Sequence, residues 1–276
     1  MSFSHFSRNR VILPVSEAVV PIDNLEYAYG FGVYETLKVR AGIVYFARQH
    51  VQRLLHSAAL IRLEHTQSED SILAAITELV TYLEIKSCNI KVMLIGARSP
   101  NDALLFVFAT APLYPDRKFY RDGVKTITSV YERWLPNAKS LNMLPSYLYY
   151  RDAQRAGCYD TLLVDNNGCI REGTRTNFFT LRGTTVYSPP ADQILEGVTR
   201  KTVISVLKKN GFRYAEQAIK LSEIESYDGA FLTSTSTKIL PIRAINGTTL
   251  PLSETIYRII RDYDRFLVEC KGVYPE

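Results

Sequence analysis

Lys139-Ser140-Leu141-Asn142 is followed along the chain by Glu172-Gly173-Thr174-Arg175-Thr176-Asn177, then Gly197-Val198-Thr199-Arg200, then Thr233-Ser234-Thr235-Ser236-Thr237. In that order the chain supplies an amine nucleophile, an isolated acid, a helix N-terminus and a hydroxyl-rich loop. A lysine amine condenses with carbonyl carbons when it is partly desolvated. Lys139 lies in an apolar stretch, among Trp134, Leu135, Leu141, Met143 and Leu144. A helix N-terminus presents unpaired N–H groups and the positive end of a dipole, which suits an anion such as phosphate. Taken singly, each feature has an ordinary explanation: a surface lysine, a turn acid, a helix cap, a polar loop. Their order and spacing are what point to chemistry.

Outward from these segments, the 276 residues suit two domains rather than one core. A hydrophobic content of 46% with 22% charged residues belongs to an ordinary globular protein. The formal charge is +5, but the 33 basic residues are scattered and do not interleave with aromatics, so nucleic acid is not an expected partner. No apolar run approaches the ~20 residues of a membrane span. The polar start Met1-Ser2-Phe3-Ser4-His5 does not resemble a signal peptide. The four cysteines (Cys88, Cys158, Cys169 and Cys270) lie far apart with no CxxC, as expected of free thiols in a reducing cytoplasm. His5, His50, His56 and His65 make no metal-ligand pattern.

The pattern predicts strands over 33–39 and 43–46, then a helix from about 48 with Val51, Leu54, Leu55, Ala58 and Ile61 on one stripe. A second helix is predicted over 68–83, with Ser68 as its cap. Strands follow over 91–96 and 104–109. The prolines of 111–117 break both periodicities and open a linker. Beyond it the reading gives a strand over 123–130, a helix over 145–156 stopped by Gly157, and hairpins over 159–171 and 177–187. Strongly periodic helices cover 198–209 and 253–270. Alternating strands and helices argue for a two-domain α/β or α+β protein.

The order and spacing of the quoted segments resemble the class IV aminotransferases. These are the fold-type IV enzymes of pyridoxal 5'-phosphate (PLP), and they include D-amino acid transaminases, branched-chain aminotransferases, (R)-amine transaminases and aminodeoxychorismate lyases. The resemblance covers about residues 30 to 260. It implies a homodimer of D-amino acid aminotransferase-like subunits. Each would have a small α/β domain over 1–114, an interdomain linker over 115–123 and a larger PLP-binding domain over 124–276.

On this resemblance Lys139 is the catalytic lysine that takes the PLP aldehyde. Glu172, in a segment closed by Asn177, is the carboxylate at the pyridine nitrogen, and Leu195 packs on the ring. Val198, Thr199, Ser234 and Thr235 bind the phosphate, with Pro241 spaced as in the family. Arg53, three residues after His50, matches a phosphate-binding arginine, although helical periodicity alone makes it a solvated one. Tyr34, closing the glycine-bearing stretch Gly30-Phe31-Gly32-Val33-Tyr34, matches an aromatic that lines the substrate pocket, and Ser236 is assigned to substrate.

The chain also departs from its relatives. D-amino acid transaminases often hold the substrate carboxylate with an Arg-x-His pair on the turn that here reads Ala97-Arg98-Ser99-Pro100-Asn101, which has no histidine. Arg98 is the candidate left there. Arg175, where the family has a small residue, is a second candidate. Regular alternation would point residues 172 and 175 to opposite faces, and Gly173 permits an irregular segment. Branched-chain enzymes usually carry a tyrosine at the position of Leu144. The expected reaction is therefore transfer of an amino group between a D-amino acid and a 2-oxo acid such as 2-oxoglutarate or pyruvate. A branched-chain L-amino acid aminotransferase comes next, and a PLP lyase of the aminodeoxychorismate type third.

Overall fold

The computed structural model describes residues 3–112 and 114–273. They form two compact units, the first from 3–112 with 138–142 and 271–273, the second from 114–137 and 143–270.

The first unit holds strands β1 (His5–Arg8), β2 (Val11–Pro14), β3 (Gly32–Arg40), β4 (Ile43–Val44), β5 (Ser87–Ile95) and β6 (Leu104–Thr110). Its helices are a short α1 (Leu25–Ala28), α2 (Ala47–Leu60) and α3 (Glu69–Tyr82). The strands form one antiparallel sheet in the order β2-β1-β6-β5-β3-β4. Val33, Leu37 and Val39 alternate along β3 and pack with Val51, Leu54 and Ala58 of α2 and Ile72, Ile76 and Leu79 of α3. Ser68 caps α3, and the Ser71 hydroxyl accepts the Ser68 N–H in return.

Two elements differ from the sequence reading. The strand predicted over 43–46 stops at Val44, because Phe46 takes a left-handed conformation (φ 55°) that turns the chain into α2. The β1–β2 hairpin turns through Asn9 and Arg10, both at positive φ, so no glycine marks it in the sequence.

The expected division placed Lys139 in the larger domain, but 138–142 packs with the first unit. The cause is an open edge. β4 pairs with β3 only at Val39 and Arg40, leaving the start of β3 unpartnered on that side. The passing segment fills it: Ser140 bridges Val33, the Tyr34 N–H donates to the Lys139 carbonyl at 3.0 Å, and the Leu141 N–H donates to the Gly32 carbonyl at 2.8 Å. A Cβ at Gly32 would lie 2.7 Å from Leu141 Cδ1 and 2.9 Å from the Leu94 carbonyl oxygen, so this approach requires glycine.

The second unit holds helices α4 (Arg117–Asp122), α5 (Leu144–Arg155), α6 (Val198–Lys209) and α7 (Glu254–Glu269). Its strands are β7 (Val124–Val130), β8 (Asp160–Val164), β9 (Cys169–Gly173), β10 (Asn177–Arg182), β11 (Thr185–Ser188), β12 (Arg213–Glu216), β13 (Ile219–Lys220), β14 (Gly229–Ser234), β15 (Lys238–Ile245) and β16 (Thr248–Thr249). They run in the order β12-β11-β10-β14-β15-β7-β8-β9-β13, with β16 beside β15. A further pairing of β10 with β9, at Asn177 and Glu172, joins the run from β9 to β10 into a closed ring of strands. The segment 115–123, expected as linker, carries α4, capped by the Asp116 carboxylate on the Lys118 N–H. The stretch 233–237 is likewise more than a loop: Thr233 and Ser234 end β14, which is paired on both sides. β14 is buried almost throughout, so it lacks the alternation that announces a strand.

Candidate active site

In the first unit, Lys139 is fixed through its backbone. Its N–H donates to Ser57 Oγ of α2 at 3.0 Å and its carbonyl accepts from Tyr34. Its ammonium sits 4.5 Å from the centre of the Tyr34 ring and makes no ion pair among the described residues. Lys139 is half-buried, but not by the neighbours the sequence suggested: Trp134 and Leu144 are exposed. What shields it is the sheet edge it lies on.

Arg53 is not the solvated arginine that periodicity suggests. It forks onto Glu35, Nε to Oε1 at 2.6 Å and Nη2 to Oε2 at 2.8 Å, and His50 Nδ1 lies 2.7 Å from the same Oε2. Burial alone would raise the Glu35 pKa, but the Arg53 guanidinium and His50 outweigh it and hold the carboxyl well below its usual range. Burial, aided by the charges of Arg53 and Lys139, lowers the His50 pKa against the pull of Glu35, so the ring is neutral and donates its Nδ1–H. The signal in the sequence was the spacing of His50 and Arg53, which puts both on one side of α2. Arg98, by contrast, is exposed on its turn, 3.8 Å from Glu26.

In the second unit, Glu172 is buried where β9 meets β10. Its Oε2 accepts the Leu195 N–H at 3.2 Å and the Asn177 side-chain amide at 3.5 Å, while Oε1 lies 3.4 Å from Arg133 Nη1. Asn177 also donates to the Leu195 carbonyl at 2.7 Å. Glu172, Asn177 and Leu195 are thus one network. Nothing in the spacing of Glu132-Arg133-Trp134 announced Arg133 as a member. Gly197 offers no side-chain cap to α6, and buried Val198 and Thr199 form the first turn. Ser234 Oγ and Thr237 Oγ1 are 2.7 Å apart, and Thr235 and Ser236 form the half-buried turn between them. The buried Thr233 hydroxyl, directly across from Asn177, has no hydrogen-bond partner among the described residues.

Arg175 is brought to none of these. The hydroxyls of Thr174 and Thr176, on either side of it, donate to buried Asp160 at 2.5 and 2.9 Å. With both neighbours turned inward, Arg175 is exposed and lies 3.8 Å over the Tyr150 ring. Burial pushes the Asp160 carboxyl up, although both hydroxyls and the Arg175 charge act the other way.

A model of the family Amino-transferase class IV matches residues 32–245. The chain belongs to the class IV aminotransferases. It is 30% identical over 251 residues to D-alanine aminotransferase of Bacillus licheniformis, covering 88% of each chain. It is 28% identical over 250 residues to a probable branched-chain-amino-acid aminotransferase of Rickettsia typhi, covering 86% of each. Among solved structures, the branched-chain aminotransferase of the archaeon Thermoproteus uzoniensis, determined with norvaline, matches at a TM-score of 0.88 and 26% identity. That match covers 96% of this chain and 95% of the other, and it shows the mixed α/β fold-type IV.

Class IV aminotransferases are PLP enzymes acting on amino acids and keto acids, and this member's residues fit that group. Among the described residues the chain offers an amine with no acid paired to it, a buried carboxylate in a fixed network, a helix start without a side-chain cap and an orphaned buried hydroxyl. No helix among the described residues is long and apolar enough to cross a membrane.

Proposed function

We propose that this class IV aminotransferase moves the amino group of a D-amino acid to a 2-oxo acid such as 2-oxoglutarate or pyruvate, with Lys139 as its catalytic residue. The observation that carries the reading is Lys139 itself: a backbone fixed by Ser57 and Tyr34, and an ammonium that no carboxylate among the described residues holds. PLP, when bound, supplies the aldehyde that takes up the amino group and a conjugated ring that accepts the electrons released at Cα. Lys139 would hold PLP at rest and, once displaced by substrate, carry the proton lifted from Cα. Glu172 would keep the pyridine nitrogen protonated, its carboxylate oriented by the Leu195 N–H and Asn177. Leu195 would pack on the ring. The phosphate is assigned to the start of α6 at Val198 and Thr199, to Ser234 and Thr235, and to Arg53. The substrate is assigned to Tyr34, Ser236, Arg98 and Arg175.

Leu144 and the Bacillus licheniformis relative support the D-configured substrate. A branched-chain L-amino acid aminotransferase is the second reading, favoured by the Rickettsia relative. The working form is read as a homodimer, which light scattering tests. The function is tested by a panel of D- and L-amino acids with 2-oxoglutarate, followed in the visible spectrum. Turnover of L-valine, L-leucine and L-isoleucine without turnover of D-alanine would establish the second reading instead.

A further inference from the structure

We infer that Lys91 is a specificity-determining residue whose ammonium, beside Tyr34 and Lys139, binds a carboxylate of the amino acid or 2-oxo acid. The inference rests on the reading of Lys139 above. In the register of β3 against β5, Tyr34 faces Met93 and Thr36 faces Lys91, so Tyr34 and Lys91 are diagonal neighbours on one side of the sheet. The Lys91 ammonium lies 4.7 Å from the centre of the Tyr34 ring, and the Lys139 ammonium lies 4.5 Å from the same centre. Two lysines therefore share one aromatic ring.

No acid among the described residues is available to them. Glu35, whose charge Lys91 feels, is engaged by both prongs of Arg53 and by His50. Lys91 itself makes no hydrogen bond or ion pair among the described residues, although it is half-buried. Arg53, Lys91 and Lys139 thus stand against the single carboxylate of Glu35, with His50 neutral. A lysine stem is long enough to carry its ammonium out to water, and on an ordinary strand it does so. Here burial, reinforced by the Lys139 charge, pulls the Lys91 pKa below its ordinary value, and contact with the Tyr34 ring offsets only part of the lost hydration. A bound carboxylate supplies the missing anion next to the amine that acts on the same molecule. Nothing in the sequence segment Asn89-Ile90-Lys91-Val92 marks this lysine; the cross-strand register does.

The test uses the PLP-loaded enzyme with Lys91→Met and Lys91→Arg, and Arg175→Ala alongside. The amino donors are alanine (one carboxylate), glutamate (two) and 1-phenylethylamine (none). Lys91→Met is expected to lower kcat/KM for the carboxylated donors by roughly 10- to 150-fold, mainly through KM, the size of a lost charge-assisted hydrogen bond. The amine should stay within about twofold, and Lys91→Arg should recover most of the loss. Calorimetric titration with propionate and glutarate should show the same fold rise in Kd. Loss for alanine and propionate assigns Lys91 to the α-carboxylate; loss confined to glutamate and glutarate assigns it to the distal one. An equal loss for all three donors, an unchanged Kd for both carboxylates, or a loss found in Arg175→Ala and not in Lys91→Met would overturn the inference. If Lys91→Met does not fold, Lys91→Gln takes its place. Failure of the reading of Lys139 is separable: turnover surviving in Lys139→Ala sinks that reading, while the carboxylate titrations judge Lys91 alone.

Discussion

At the residue scale the proposed chemistry rests on two side chains that the fold holds in opposite ways. Lys139 is held by its backbone with its amine unpaired, and Glu172 is held by its carboxylate. Lys139→Ala removes the proposed nucleophile and proton carrier without touching the backbone bonds to Ser57 and Tyr34. Turnover should vanish while the far-UV dichroism and the unfolding midpoint stay near wild type. A variant that turned over normally and still formed a borohydride-reducible adduct would rule Lys139 out. Glu172→Gln keeps the shape of the network but not the charge. PLP should stay bound and Cα deprotonation should slow by at least ~100-fold, the order lost with a positioned catalytic group. Single-turnover rates within about threefold of wild type, a margin far inside that expected loss, would show that the charge is not needed.

At the element scale, α6 depends on a glycine for a reason that is purely steric. The Gly197 backbone is ordinary (φ −62°), yet a Cβ there would lie 2.1 Å from Asn177 Oδ1. Asn177 has little room to move, because its amide is bound to the Leu195 carbonyl and Glu172. Gly197→Ala should therefore displace Asn177 and loosen Glu172 together with the start of α6. The expected cost is about 1–3 kcal/mol of stability, as for other overpacked sites. A faster loss of PLP absorbance on dialysis should accompany it. Unchanged denaturation curves together with unchanged retention would mean that the helix start adjusts freely.

At the scale of the whole molecule, acid should destabilise the protein through a group buried beside Glu35. In the folded chain His50 is held neutral, because burial lowers its pKa from the ordinary 6.5. The unfolded chain takes up a proton as pH falls through about 6.5 and the folded chain does not, so stability is lost on acidification. One such group contributes a slope of up to about 1.4 kcal/mol per pH unit. His65, also lowered by burial, adds in the same direction. Glu35, held below its usual range, contributes stability above about pH 4.5 that is lost as pH falls further, whereas Asp160, pushed up by burial, acts in the opposite sense. Denaturant titrations between pH 7.5 and 5.5 should show the decline, and His50→Gln should flatten it. An unaltered slope in that variant would place the linkage elsewhere.

Local sequence determined the elements whose signals lie within a dozen residues. Helical periodicity and the Ser68 cap marked α3, α6 and α7, and the turns at Asp165-Asn166-Asn167-Gly168 and Arg182-Gly183 marked two hairpins. The order of Lys139, Glu172, Thr199 and Thr235 was enough for the family, since that order is a property of the chain alone. Tertiary structure decided what depends on partners distant in sequence. Lys139 joined the first unit because β4 is too short to cover the edge of β3. Arg175 turned outward because Asp160 draws in the threonines beside it. Arg133, on the loop after β7, reached Glu172, and sheet register set Lys91 beside the Tyr34 ring that Lys139 also meets. Periodicity records which face of an element is apolar; it does not record which edge is open, which buried acid lacks a partner, or which strand lies alongside.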